Sequence, residues 1–131
     1  MCNDEKLTVT MAVDLKKWGI RIHKTAFRMM GEPKLVQLLV NPDNLEVAVR
    51  AVDVEIPGDS VHRIRKARMD SDSSYEIYSR SFARELSAIA GNLDKGFTYR
   101  LTGSFVPSER MLVFSLKTLQ KFDKQRDTSN G

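Results

Sequence analysis

The sequence predicts an α+β fold in which a β-β-α-β-β unit is used twice. Three observations predict it: short runs of alternating apolar and polar residues, two capped helical stretches closed near a glycine, and the same element order in both halves. Leu7-Thr8-Val9-Thr10-Met11-Ala12-Val13 is apolar at every odd position, the mark of a half-buried strand. Asp14 to Gly19 is a polar turn with Gly19 available for a positive φ, and Gly19 to His23 is a second short strand. Thr25 is placed to cap a short helix over Ala26 to Met30, which Gly31 closes and Pro33 stops. Leu35 to Val40 is a strongly apolar strand. After the Asn41-Pro42-Asp43-Asn44 turn, Leu45 to Arg50 returns with apolar residues at 45, 47 and 49.

The second half repeats the order. Val61 to Ala67 is a basic strand candidate, Asp70 to Ser74 a polar turn and Tyr75 to Tyr78 a short strand. Ser79 or Ser81 caps a helix that puts Phe82, Leu86 and Ile89 on one face, with Gly91 near its end. Gly96 to Val106 is a long strand bent at Gly103, Pro107 to Arg110 a turn and Met111 to Leu116 a closing strand, followed by a helical turn over Thr118 to Lys124. Sliding the first half by 55 residues sets Ile20 on Tyr75, Ile22 on Ile77 and Phe27 on Phe82, and strand 7–13 on 62–68. The organisation expected is a first repeat over 7–53, a linker over 54–60 and a second repeat over 61–117. A tail over 118–131 follows, helical and then disordered. Each half would cover apolar strand faces that it cannot bury alone, giving a pseudo-twofold body.

Composition bounds the class. The chain has 131 residues, 41% of them hydrophobic and 29% charged, in the range of a soluble globular domain. No run has the length of a membrane span, and the start of the chain lacks the basic flank and apolar stretch of a secretory signal. A cytoplasmic protein without membrane contact is therefore expected. The net charge of +4 is unevenly spread: residues 1–60 carry 8 Lys/Arg against 9 Asp/Glu, and residues 61–131 carry 13 against 8. The densest patch is His62-Arg63-Ile64-Arg65-Lys66-Ala67-Arg68, which suits phosphates or an acidic protein surface. A solvated strand edge protected from aggregation accounts for it equally well. The ten aromatic residues fall mostly at apolar-periodic positions and read as core rather than as stacking platforms.

The residues that chemistry needs are sparse. The single cysteine, Cys2, sits in the N-terminal tail, a poor place for an oriented nucleophile, and excludes an internal disulfide. His23 and His62 have no metal-ligand spacing, and no glycine-rich run leads into Lys-Ser/Thr. Asp70-x-Asp72-x-Ser74-x-Glu76 resembles the start of a calcium loop but has Tyr75 where the loop needs Gly and Ser81 where it needs the bidentate Glu. No enzyme activity, cofactor or metal is expected.

Val13 to Gly31 resembles the opening of the AbrB-type swapped-hairpin domain. It runs a Val-Asp strand end, a polar turn, Gly19, a short strand, a helix of apolar–basic pattern and Met30-Gly31. The resemblance covers residues 8–50. Residues 61–116 match in element order, and two copies on one chain are similar to the arrangement in MraZ proteins. His23 and Tyr78 stand where that family has Pro. Of its two adjacent arginines only the second is kept, as Arg28, with Phe27 in place of the first.

The resemblance implies a swapped-hairpin-like barrel or pair of sheets that binds DNA and regulates transcription. It implies a monomer if hairpins are exchanged between the halves, and a homodimer if only the first half has this fold. From the residues themselves, Arg21 faces away from Ile20 and Ile22, while Lys24 and Arg28 share a helix face. Lys16 and Lys17 are expected to join Lys24 and Arg28 in one positive surface. Arg80 and Arg84 repeat the i,i+4 pair, with Arg63, Arg65, Lys66 and Arg68 just before them. A non-enzymatic regulator that binds duplex DNA through these residues is one expectation. A protein-interaction module, an inhibitor or adaptor with no nucleic-acid ligand, is the other.

Overall fold

The computed structural model describes residues 8–54, 61–63, 65–66 and 74–122. The order is β1 (Thr8–Asp14), β2 (Gly19–His23), α1 (Lys24–Met29), β3 (Leu35–Asn41), β4 (Glu46–Val52), β5 (Val61–Arg63), β6 (Arg65–Lys66), β7 (Ser74–Tyr78), α2 (Arg80–Ile89), β8 (Thr98–Val106), a 3-10 turn (Pro107–Glu109) and β9 (Met111–Phe122). The α+β class is as the periodicity predicts. All strands join one antiparallel sheet in the order β5-β3-β4-β9-β8-β1-β2-β7-β6. Only residue 64 separates the two edge strands, so the segment 61–66 pairs with β3 on one side and β7 on the other. The sheet is thereby curled into a nearly closed, eight-strand barrel-like ring.

Alternation puts one face of each strand inside. Met11, Val13, Ile20, Ile22, Val36, Val49, Ile77, Leu101, Leu112 and Phe114 are essentially inaccessible to solvent. The helices leave β2 and β7, which run antiparallel, at opposite ends of their shared ladder. Phe27 and Met30 of the α1 region and Phe82, Ala83 and Leu86 of α2 join the core, with the Phe27 ring against Tyr75 at 4.8 Å between centroids.

The two halves are interleaved. β1 pairs with β8 and β3 with β5, β2 pairs with β7, and β4 pairs with β9. Local backbone details recur as well. Glycine at positive φ follows each helix (Gly31 and Gly91), with a left-handed residue next to it (Glu32 and Asn92). A left-handed residue also precedes β4 (Leu45) and β9 (Arg110).

Several local expectations are corrected. Gly19 does not supply the positive φ of the first turn; Trp18 does, at φ 56°. Gly19 instead leaves room for a neighbour, since a Cβ there would stand 3.1 Å from Cε1 of the Tyr78 ring lying over it. The cap of α1 is His23, whose Nδ1 accepts from the Thr25 N–H at 3.1 Å, and not Thr25. The helical turn expected over 118–124 is strand as far as Phe122, because residues 120–122 continue the ladder with 98–100 across a register shift between Arg100 and Thr102. The slide of 55 carries 19–23 onto 74–78 but not the first strand. Ala12 stands opposite Arg21 and Arg65 opposite Glu76, a separation of 53. The expected linker over 54–60 lies, apart from Val54, outside the described residues, as does 123–131 of the tail.

Candidate nucleic-acid interface

The ring has two basic ends, joined by the β2–β7 ladder. At one end the β1–β2 turn meets the start of α2. The Ser79 N–H donates to the Trp18 carbonyl at 3.0 Å, and the Ser79 Oγ, buried, accepts from the Phe82 N–H at 3.2 Å as the helix cap. The Arg80 guanidinium lies over the Trp18 ring, 5.7 Å from its centroid. Asp14 Oδ1 accepts from the Lys16 N–H at 2.9 Å and shapes the turn. Lys16 and Lys17, both exposed, thus lie in the turn docked at the start of α2, whose first turns carry Arg80 and Arg84, also exposed. That helix has no acidic residue in its first turn, so its positive dipole end adds to the same field.

This corrects the expected grouping. Lys16 and Lys17 lie at the N-terminal end of β2, whereas Lys24 and Arg28 follow its C-terminal end, a separation of about 13 Å along the strand. The basic strand meets α2 only at its start, where His62 lines a groove with Ser81, Phe82 and Glu85. From Arg63 it runs toward the α1 end, since Arg65 pairs with Glu76 and Lys66 with Tyr75, toward the start of β7. Arg63 lines a groove with Glu32, Lys34 and Asp53, in the connections after α1 and β4. The second end therefore has Lys24 and Arg28 of one half, and the backbone of the basic strand of the other half runs toward it, with Arg63 in the adjoining groove. Arg28 is half-engaged with Glu32 at 3.9 Å, a loose exposed pair. Arg68 lies outside the described residues.

Between the ends, on the outer face, Arg21 donates to Glu76 Oε2 at 2.7 Å, and the Tyr78 hydroxyl donates to Glu76 Oε1 at 2.7 Å. The Arg21 hydrogen bond holds the Glu76 carboxyl below its ordinary range. Partial burial pushes it the other way, and the Tyr78 hydroxyl and the charges of Arg21 and Lys17 add to the lowering. Beside this pair Ala12 and Gly19 leave a depression of about 140 Å³ in the sheet, with Arg100 on its far wall.

Glu76, Tyr78, Trp18 and Arg100 were not among the predicted site residues. Arg100 was within reach of pattern alone, because apolar 97, 99 and 101 turn 98 and 100 outward. Tyr78 is 47% exposed, an exception to the expectation that the aromatics are mostly interior. Its ring lies over Gly19 on a strand far back in the chain, so sequence spacing carried no sign of that contact. Among the described residues no three His, Cys, Asp or Glu side chains converge as a metal site would require, and no helix is long and apolar enough to cross a membrane. Comparison with protein-family models, with curated proteins and with solved structures finds no match.

Proposed function

We propose that the protein is a duplicated β-β-α-β-β chain that binds duplex DNA without chemistry and acts as a regulator of transcription. The observation that carries this reading is the exchange between halves. The turn with Lys16 and Lys17 is docked on the helix with Arg80 and Arg84, so basic residues far apart in sequence share one end of the ring. The duplication is supported by the ladders. If β1, β2, β3 and β4 are exchanged for the 61–66 strand, β7, β8 and β9, the set of strand pairs is unchanged. The pairing of β1 with β8 and of β3 with β5 is what a swapped-hairpin barrel requires, in keeping with the resemblance of residues 8–50 to AbrB-type domains.

Backbone phosphates would be met by the six cations Lys16, Lys17, Lys24, Arg28, Arg80 and Arg84, and sequence or shape would be read by residues between the ends. Six phosphate contacts give a slope of log K against log salt of about −5, or about 10³-fold weaker binding between 50 and 200 mM salt. The test is fluorescence anisotropy of a labelled duplex across that salt range. Charge reversal of Arg80 with Arg84, or of Lys24 with Arg28, is expected to reduce the slope by about 2. Binding that ignores salt and these reversals, or no binding to any duplex beside recovery of a bound protein, refutes the DNA reading in favour of a protein-interaction module.

A further inference from the structure

The depression on the outer face has a composition that neither basic end has. Its floor is made of residues with little or no side chain: Ala12 on β1 and Gly19 on β2. Arg100 and Arg21 are the cross-strand neighbours of Ala12 on its two sides, so their Cα atoms are about 10 Å apart and both long side chains border the same depression. Lys17 borders it at the turn, giving three cations around one concavity. The Tyr78 ring forms another wall and is one of two large apolar side chains left exposed among the described residues. Two carboxylates complete the rim: Glu76, whose oxygens already accept from Arg21 and the Tyr78 hydroxyl, and Asp14, whose Oδ1 accepts from the Lys16 N–H.

Each part constrains the ligand. Guanidinium forks beside an ammonium select a phosphate or carboxylate. The two carboxylates oppose a bare anion and favour a ligand that also brings hydroxyl or amino donors. An exposed tyrosine ring at the rim of a cationic cleft favours a planar ring. The depression opens to solvent and holds about 140 Å³, enough for a phosphate and the edge of a sugar or ring but not for a whole enclosed ligand.

We infer that this cleft seats one nucleotide unit. The phosphate lies between Arg21, Arg100 and Lys17 above Ala12, the base lies against Tyr78, and Asp14 or Glu76 accepts from a ribose hydroxyl or base amino group. The same chemistry has two sources, a free mononucleotide or a terminal or unpaired unit of a bound nucleic-acid strand, whose base is out of the stack. Only the second rests on the proposed DNA binding.

The test uses the full-length, isotope-labelled protein, with backbone amide shifts read at residues 12, 19–21, 76–78 and 98–100. Titrants are the 5′-mononucleotides of adenine, guanine, cytosine and uracil, adenosine alone, inorganic phosphate alone, and a duplex. The expected result is a saturable shift of these residues by a mononucleotide, at least tenfold weaker with adenosine or phosphate alone, or their selective shift by the duplex. Ala12→Leu, which fills the floor without altering charge, is expected to weaken the response at least tenfold, as is Tyr78→Ala; the unchanged amide spectrum of the rest of the ring shows that each variant is folded. No shift at these residues with any titrant overturns the proposal, as does a shift indifferent to both variants. A mononucleotide response without duplex binding upholds it while removing the DNA reading. Duplex binding sensitive to Lys24 and Arg28 but not to Ala12→Leu or Tyr78→Ala, with no mononucleotide response, does the reverse.

Discussion

Gly103 and Gly19 both lie in strands where a side chain is missing, yet alanine is expected to act very differently at the two. Gly103 pairs with Val9 on one side and Phe114 on the other. A Cβ there would overlap the Val113 carbonyl oxygen and stand 2.7 Å from the Val113 carbonyl carbon and 2.8 Å from the Phe114 Cα, all backbone. Carbon atoms in contact sit about 3.5 Å or more apart, so β9 must retreat by nearly an ångström. It has no room to do so, because β4 is paired along its other side. Overpacking against a backbone that cannot move is expected to cost about 3 kcal/mol. A chain of this length unfolds with an entropy of about 0.28 kcal/mol/K, so the midpoint falls by about 11 °C. At Gly19 the added Cβ meets the Tyr78 ring at 3.1 and 3.2 Å. That ring is half exposed and can shift by a few tenths of an ångström, while alanine restricts the unfolded chain by about 0.4–1 kcal/mol in favour of folding. Gly19→Ala is therefore expected within about 1 kcal/mol of the parent. Differential scanning calorimetry of the two variants decides. Equal midpoints, or Gly103→Ala melting within 3 °C of the parent (about 1 kcal/mol), would refute the account of a fixed backbone contact.

Two other perturbations read the candidate interface. Because Glu76 is held below its ordinary value when folded, its stabilisation is complete above the usual pKa of 4.5 and is lost as pH falls through the lowered folded value. The stability gap between the parent and Glu76→Gln, measured by denaturant titration, is expected to be flat near neutrality and to close in acid. It should not exceed about 1 kcal/mol, since the Arg21 side chain is 48% exposed; a gap that widens toward acid refutes the pairing. Ser79→Ala removes the buried cap of α2 and is expected to cost about 1 kcal/mol, a fall of about 4 °C in calorimetry. A fall below 1 °C would mean that the Oγ contact to the Phe82 N–H does not hold the helix start.

What the sequence disclosed and what it withheld divide along one physical line. Alternation and caps are local, and with them Ile20, Ile22, Phe27, Phe82 and Leu86 were legible as core, Arg21 as outward, and Gly31 and Gly91 as helix ends. Pairing between strands is not local. Nothing in residues 74–78 says that Tyr78 will lie on Gly19 or that Glu76 will meet Arg21, because those contacts depend on a register set by the whole ring. The same limit explains the continuation of β9. Residues 118–122 have weak intrinsic preference, and it is the ladder with 98–100 that makes them strand. The cap at His23, a local bond to the Thr25 N–H, and the left-handed Trp18 were missed for a different reason, since common residue preferences favour Thr and Gly there.

That non-local step bears directly on the site. Had each half folded on its own, Lys16 and Lys17 would share a body with Lys24 and Arg28, and the basic strand with Arg80 and Arg84. Interleaving crosses these sets, because a strand pairing antiparallel with its counterpart brings the turn before one to the helix after the other. Charge is therefore distributed to both ends of the ring whatever the imbalance between halves, even though residues 1–60 are acidic by one unit and 61–131 basic by five. At the centre of the ladder Arg21 faces Glu76 instead of a second cation. A ligand spanning both ends would meet like charge at its extremities and an oriented Arg–Glu pair between them, so the two directions of approach along the ladder are inequivalent. On the proposed DNA reading, such an interface would select a target with distinguishable halves over a perfect palindrome, because reversing the target would exchange what Arg21 and Glu76 each face.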